Sequence, residues 1–478
     1  MIVGELRHGQ LAIIDRLKET VRLSEGLAGT GNLTEAARIR ALDCLRRFGE
    51  RIQGMDAEKV RAAGTSTLRR ARDSESFCRE AEQALGHPIE VISGLEEARL
   101  IFNGVVHSTP PYEGLRLAID IGGGSTELIL GQGMRPQALE SLHMGCVVMT
   151  ERHFPDGRIS AANFAAARLA IRLKLRPVKA FFRGATDVEA IGASGTVRAT
   201  EAVARELGII DDALTIDAVE SLIDRVAGFD HVSELNEPGL SDSRAQVWPG
   251  GLAILVEVMK VLRIDRIHTS DGALREGLLY DYLGRMQHED ARERSVRALA
   301  SRYNVDAEQA ERVAKTAAGF LTQAEDRWSL TSSLSSKVLD WAARLHEIGL
   351  DITHEGFQRH GAYVAFHADL PGFPRNEQAL LAFLIASQRR HIDQTRHADL
   401  PPSWRKKAIR LAILLRLAVL LHRNRSQVPL PEVRFEPGKS SLTLTFAPGW
   451  LDDNPLTVAD LDREIDYLKA IDYELSYR

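Results

Sequence analysis

Apolar positions along the first hundred residues change period repeatedly. Short runs at Ile13-Ile14 and Val60 to Ala63 alternate with helically spaced stretches, Leu33 to Ile52 and Leu68 to Leu85. Such alternation predicts strands covered by helices, an α/β layer. A second unit of the same kind runs from Leu115 to about Leu283. Its strands are expected at Leu117 to Ile121, Leu128 to Leu130, Val188 to Ile191 and Arg266 to His268. From Ala291 to about Arg425 the apolar spacing is helical and strand runs nearly vanish. The tail returns to β-type runs at Val433-Arg-Phe and Ser441 to Phe446, then to a helical pattern from Val458 to Lys469. A chain of 478 residues is too long for one hydrophobic core. The expected domains are 1–105 and 106–283, both α/β, then 284–428, all helical, and 429–478, a small α+β appendage.

Composition narrows the function classes. A hydrophobic share of 44% and a charged share of 27% fit a folded chain, and a net charge of −5 gives no bulk attraction for nucleic acid. Any grip on a polyanion is therefore local, and no nucleic-acid partner is expected. Cys44, Cys78 and Cys146 are scattered without metal-ligand spacing, which places them in the core of a protein from a reducing compartment. Leu411 to Leu421 is too short to cross a bilayer and carries Arg416, so no transmembrane segment is expected. Met1-Ile-Val-Gly-Glu-Leu lacks the basic flank and apolar run of an export signal, and the expected address is the cytoplasm.

The richest motif is Ala118-Ile-Asp-Ile-Gly-Gly-Gly-Ser-Thr-Glu-Leu-Ile-Leu130. A strand ends in three glycines and a strand resumes, whereas dinucleotide and P-loop motifs require a helix after the glycines. Gly122, Gly123 and Gly124 let backbone amides converge on an oxyanion, and Ser125 and Thr126 add hydroxyls. Asp120 and Glu127 bracket the turn with hard oxygen ligands suited to Mg2+.

Two other junctions belong with it. Ala62-Ala-Gly-Thr-Ser-Thr-Leu-Arg-Arg70 is a small-residue strand meeting a helix start, where free amides and Arg69 or Arg70 attract an anion. In Ile89-Glu-Val-Ile-Ser-Gly-Leu-Glu-Glu-Ala-Arg99, Ser93 and Glu96 stand at capping-box spacing, which assigns Glu96 to the helix end and leaves Glu97 to deprotonate a water. Ile191-Gly-Ala-Ser-Gly-Thr-Val and Thr269-Ser-Asp-Gly-Ala-Leu-Arg-Glu-Gly277 repeat the strand, turn and helix theme.

Together, Gly64-Thr-Ser-Thr-Leu-Arg69, Ser93-Gly-Leu-Glu-Glu-Ala-Arg99, Asp120-Ile-Gly-Gly-Gly-Ser-Thr-Glu127, Gly192-Ala-Ser-Gly-Thr196 and Ser270-Asp-Gly-Ala-Leu-Arg-Glu-Gly277 resemble the exopolyphosphatase and guanosine pentaphosphate phosphohydrolase family. The resemblance spans nearly the whole chain. It implies two actin-like, ribonuclease H-type ATPase lobes, a helical domain related to the HD phosphohydrolases, a small C-terminal domain and a homodimer. It implies Glu97 as catalytic base, Asp120 and Glu127 as Mg2+ ligands, and Arg69, Gly123, Gly124 and Ser125 as phosphate holders. It also places Lys174 along the substrate path. The expected reaction is exopolyphosphatase hydrolysis of terminal phosphate from inorganic polyphosphate, with guanosine pentaphosphate as the alternative substrate.

Two departures qualify the resemblance. The family's opening phosphate loop, Asp-x-Gly-Ser-Asn-Ser, has no counterpart ahead of Met1-Ile-Val-Gly. That implies an inactive or slow chain, a misplaced start, or a silent polyphosphate- or nucleotide-binding protein. In the helical domain Arg344-Leu-His-Glu-Ile-Gly-Leu350 carries Glu347 where the HD motif has Asp, and Gln388 stands where it has His. A two-metal HD site is therefore not expected. A channel for a polymeric substrate, lined by His346, His354 or His360 and arginines, is.

Overall fold

In the computed structural model, which describes residues 1–7, 10–27, 31–182, 188–286 and 290–478, the chain begins with an antiparallel hairpin, β1 (Ile2–Arg7) and β2 (Gln10–Arg16). Helix α1 (Glu35–Arg51) starts at Thr34, whose hydroxyl accepts from the Ala37 amide. There follow β3 (Ala62–Gly64), α2 (Ser66–Arg70), α3 (Ser74–Leu85), β4 (Ile89–Val91) and α4 (Gly94–Ser108), with β3 and β4 parallel. The helix expected from Leu68 to Leu85 is broken. Ala71 is extended, and the Asp73 carboxylate turns away to accept from the Leu33 amide at 3.0 Å and from Arg38 at 2.7 Å. Helix α2 is thus a single turn, too short to act as the anion-attracting helix end expected from its motif.

The next lobe is built on β5 (Leu115–Ile121), β6 (Thr126–Gln132) and β7 (Arg135–Leu142), an antiparallel meander. After α5 (Cys146–His153) and α6 (Ala161–Leu175), β8 (Val188–Gly192) joins parallel to β5. Helix α7 (Gly195–Glu206), β9 (Leu214–Thr215), α8 (Ile216–Val226), α9 (Asp242–Ala245) and α10 (Trp248–Leu262) lead to β10 (Arg266–Thr269), and α11 (Leu274–Met286) ends the unit. The sheet order β7-β6-β5-β8-β10-β9, with β10 parallel to β8, is the meander-then-parallel order of a ribonuclease H-type lobe. Helix α10 is buried along nearly its whole length, which explains its uniformly apolar sequence.

Helices α4 and α11 touch backbone to backbone. A Cβ on Gly104 would stand 2.0 Å from the Ala273 carbonyl oxygen, and one on Gly277 would stand 1.8 Å from that of Leu100. These two glycines fix the height of α4, and α4 carries Glu97 in its first turn. Behind that turn lies a buried ion network. Arg99 grips Glu96 through two 2.8 Å bonds and reaches Asp281 of α11 at 2.5 Å, while Arg61 holds the other Asp281 oxygen at 2.5 Å and Glu90 at 3.1 Å.

The chain divides into two compact units, Met1–Asp290 and Ala291–Arg478. The second comprises α12 (Ala291–Arg302), α13 (Ala307–Trp328), α14 (Ser333–Leu345), α15 (Phe357–His367), α16 (Arg375–Ser387), α17 (Gln394–Ala398) and α18 (Pro402–Leu421), then β11 (Arg434–Pro437), β12 (Ser441–Thr445), α19 (Pro455–Lys469) and β13 (Glu474–Tyr477). The final strand was not legible in the sequence pattern; it lies parallel to β12. Trp328 and Phe320 of α13 pack on Phe435 of β11 with ring centroids 5.4 Å apart in each case, so the sheet and the helices share one core. No helix among the described residues is long and apolar enough to cross a membrane.

Candidate active site

The β5–β6 ladder sets Asp120 directly opposite Glu127, and residues directly opposite in a ladder project from the same face of the sheet. Like charges in that position are unfavourable. Glu127 is 1% exposed, and its Oε1 accepts from the Ser141 hydroxyl at 2.8 Å. Burial, then the charges of Glu97 and Asp120, push the Glu127 carboxyl well above the usual carboxylate range. Burial and the Glu97 charge push Asp120 up to about 7, against the opposing pull of Arg198. Three carboxyl groups from α4, β5 and β6 therefore share one locality.

Glu97 is placed by the sequence around Ser93. The Ser93 hydroxyl accepts from the Glu96 amide at 3.1 Å, closing the start of α4, and the Glu96 carboxylate is spent on Arg99. Glu97 has a different partner. Its Oε2 accepts from Arg69 Nη1 at 2.9 Å, and the same Nη1 also donates to the Ile92 carbonyl at 2.9 Å. Burial raises the Glu97 pKa, and the Arg69 charge, with hydrogen bonds from Arg69 and Thr65, works against that rise. Arg69 is thus a partner of Glu97 as well as a candidate phosphate holder.

The glycine turn presents its amides as a set. The Gly122 carbonyl accepts from the Cys146 amide at 2.8 Å, that of Gly123 from the Val147 amide at 3.1 Å, and that of Gly124 from His143 Nδ1 at 3.0 Å. A planar trans peptide points its N–H opposite to its C=O. The amides of Gly123, Gly124 and Ser125 consequently point away from α5, and among the described residues they donate to nothing. A Cβ on Gly145 would stand 2.1 Å from the Gly123 oxygen, so only glycine lets the start of α5 come this close. Across from the turn, Ser66 Oγ lies 2.8 Å from where a Gly124 Cβ would be, and Ser141 Oγ lies 2.6 Å from that of Gly94. The turn of one lobe and the first turns of α2 and α4 in the other are close neighbours.

Basic groups flank this centre on two sides. Arg70 and Lys174 are near enough to His143 for their charges, after burial, to push its pKa down. The charge of Lys174 is felt at His143, and no bond joins it to Glu97, Asp120 or Glu127 among the described residues. Elsewhere Lys18, Arg198, Arg244 and Arg275 crowd together, and burial with the three arginine charges lowers the Lys18 pKa. Sequence reasoning did not single out Ser141, His143 or Arg198. Ser141 and His143 sit at the end of a polar edge strand without motif, and Arg198 is an ordinary-looking helix residue. His346 is buried, whereas His354 and His360 are exposed.

The donor set fits a hard divalent cation. Among the described residues no three His, Cys, Asp or Glu side chains converge on a metal position. Mg2+ keeps several waters and takes one or two carboxylates with substrate phosphate oxygens, so the Asp120–Glu127 pair suffices. A cation there would offset what raises both pKa values, burial first and then the neighbouring carboxylate charges.

Residues 2–286 match the Ppx/GppA phosphatase family and residues 291–465 match Ppx/GppA phosphatase, domain III. A guanosine-5'-triphosphate,3'-diphosphate pyrophosphatase of Aeromonas hydrophila is 38% identical over 466 residues, covering 98% of this chain and 93% of the relative. Among solved structures, the Aquifex aeolicus PPX-GPPA enzyme aligns with a TM-score of 0.50 at 26% identity over 58% of this chain and 93% of its own. An exopolyphosphatase from Cytophaga hutchinsonii aligns with a TM-score of 0.53 at 24% identity over 59% and 93%, which supports the fold. With both units matched, the actin-like lobes and the helical region are accounted for together: the chain belongs to the Ppx/GppA phosphatase family.

Proposed function

We propose that this chain is a Mg2+-dependent hydrolase that removes the terminal phosphate of a phosphoanhydride chain. The observation that carries the reading is that Glu97, Asp120 and Glu127 lie close enough for their charges to act on one another, beside a turn whose amides at Gly123, Gly124 and Ser125 donate to nothing among the described residues. Asp120 and Glu127 would hold the cation, which when bound neutralises phosphate charge. The amides and the Ser125 hydroxyl bind the terminal phosphate oxygens. Glu97, held by Arg69 and Thr65, takes a proton from a water whose oxygen forms the new bond to phosphorus. The bond to the bridging oxygen breaks, and that oxygen leaves with the electron pair. The group of Lys18, Arg198, Arg244 and Arg275 offers positive charge for the remainder of the substrate.

Guanosine pentaphosphate is the favoured substrate, because the Aeromonas hydrophila relative that matches along nearly the whole chain is named for it. Inorganic polyphosphate, the first expectation from sequence, presents the same terminal bond and is the second reading. Phosphate release from the two substrates, measured in parallel with Mg2+, decides between them. Glu97→Gln should lower kcat by about 10²- to 10⁴-fold on the true substrate. Retention of parent activity by that variant would refute the base assignment.

A further inference from the structure

We propose that His143 is a positioning residue of the glycine turn: its Nδ1–H holds the Gly124 carbonyl so that the Ser125 amide faces the terminal phosphate. This rests on the phosphate-binding reading above and extends it to a residue that no motif contains.

Three peptide units make the turn's amide surface, and two have their carbonyls fixed by backbone donors, Cys146 and Val147 at the start of α5. Only the Gly124 carbonyl depends on a side chain. Glycine gives the bond on the Gly124 side of this peptide wide rotational freedom, so the peptide is the one most able to turn over if its carbonyl is released. A flipped 124–125 peptide would present a carbonyl oxygen, not an N–H, to an anion. One attraction would become a repulsion.

The residue is well held for this task. The Met144 amide donates to the Leu142 carbonyl at 2.7 Å, the Met144 carbonyl accepts from the Thr126 hydroxyl at 2.5 Å, and the Met144 side chain is fully buried. That tight turn aims the His143 ring at Gly124. Because the carbonyl can only accept, Nδ1 carries the proton in the neutral ring, and it keeps that proton when the ring is charged. The bond therefore survives either state. Burial, with the charges of Arg70 of α2 and Lys174 of α6, favours the neutral ring.

Asparagine places its Nδ2 near where histidine has Nδ1, whereas glutamine reaches further, toward the position of Nε2. Parent enzyme, His143→Ala, His143→Asn and His143→Gln are compared for kcat, KM, melting temperature and calorimetric affinity for tripolyphosphate. The alanine variant should lose about tenfold or more in kcat with its melting temperature kept. Asparagine should recover kcat to within about threefold of the parent, and glutamine should not. Full kcat and affinity in the alanine variant, or an asparagine variant as impaired as alanine, overturns the proposal. If the parent hydrolyses neither guanosine pentaphosphate nor polyphosphate, the functional reading fails, and the order of tripolyphosphate affinities still judges the role of His143.

Discussion

Asp120 and Glu127 stand opposite each other across the β5–β6 ladder, two carboxyl groups where a sheet favours opposite charges. Glu127 also accepts from the Ser141 hydroxyl, and a neutral Asn in place of Asp120 would leave that bond intact while relieving the like-charge contact. Removing one charge should therefore stabilise the metal-free protein while harming catalysis. Asp120→Asn is expected to raise the metal-free melting temperature by a few degrees at pH 8, corresponding to about 1 kcal/mol, and to abolish the response to Mg2+. Scanning calorimetry with and without Mg2+ checks both.

The same pair gives stability a pH dependence of defined sign. The Asp120 carboxyl is raised from 3.8 to about 7 in the folded chain, so between those values the folded state binds more protons than the unfolded one. Stability contributed by this group is present below its unfolded pKa and falls as pH rises toward 7, with the raised Glu127 acting in the same direction. A cation bound by the two carboxylates would lower both pKa values and remove the penalty. The melting-temperature gain from Mg2+ should be small at pH 5 and larger at pH 8. An equal gain at both would contradict metal binding at these carboxylates.

Arg69 tunes Glu97. Its guanidinium, 2.9 Å from Glu97 Oε2, counters the rise that burial imposes. In Arg69→Ala the Glu97 pKa should climb further, moving the acidic limb of the kcat/KM profile to higher pH by about one unit or more. Arg69→Lys retains a charge but not the shared contact with the Ile92 carbonyl, so its limb should lie between the two. The pH profiles of the three proteins provide the comparison.

Much of this site was legible before any coordinates. The glycine turn announced itself because three consecutive glycines between β-type runs serve no ordinary strand, and its flanking carboxylates read as hard oxygen ligands bracketing the turn; that they stand opposite each other across a ladder came from the structure. Glu97 separated from Glu96 because capping-box spacing assigns only one of two adjacent acids to the helix end. Less legible were side chains whose roles come from tertiary proximity. Arg69 was read as a phosphate fork, yet its bond to Glu97 depends on α2 and α4 meeting, which no local pattern encodes. Ser141 and His143 lie where a polar edge strand ends, a place that sequence periodicity treats as surface. The break at Ala71 was hidden because Asp73 leaves the helical path to bond Leu33 and Arg38, both distant in sequence.

Gly277 sits far from the glycine turn in sequence yet sets the position of the proposed base. With a methyl group placed 1.8 Å from the Leu100 carbonyl oxygen, Gly277→Ala must separate α11 from α4. Overpacking of this kind costs about 1–3 kcal/mol. Displacement of α4 also moves Glu97, so kcat should drop more than a surface substitution of equal stability cost would allow. Chemical denaturation alongside steady-state kinetics separates the two effects.

The helical unit offers a test of how a buried charge is maintained. Arg416 interrupts an otherwise apolar helix, and its guanidinium is completely buried, bonded to Glu464 at 2.5 and 2.9 Å and to the Ser387 carbonyl at 2.6 Å. Taking two charges out of water is costly, and the attraction between them compensates only while both are present. Glu464→Gln leaves an uncompensated guanidinium and should destabilise the unit by about 3–5 kcal/mol. The double variant Arg416→Met with Glu464→Leu removes both charges at similar volume, and it should recover most of that loss or exceed the parent. Urea denaturation of the full chain, following the transition of the helical unit, would show the single variant melting first; a double variant as unstable as the single one would mean that the pair is needed for packing and not only for charge balance.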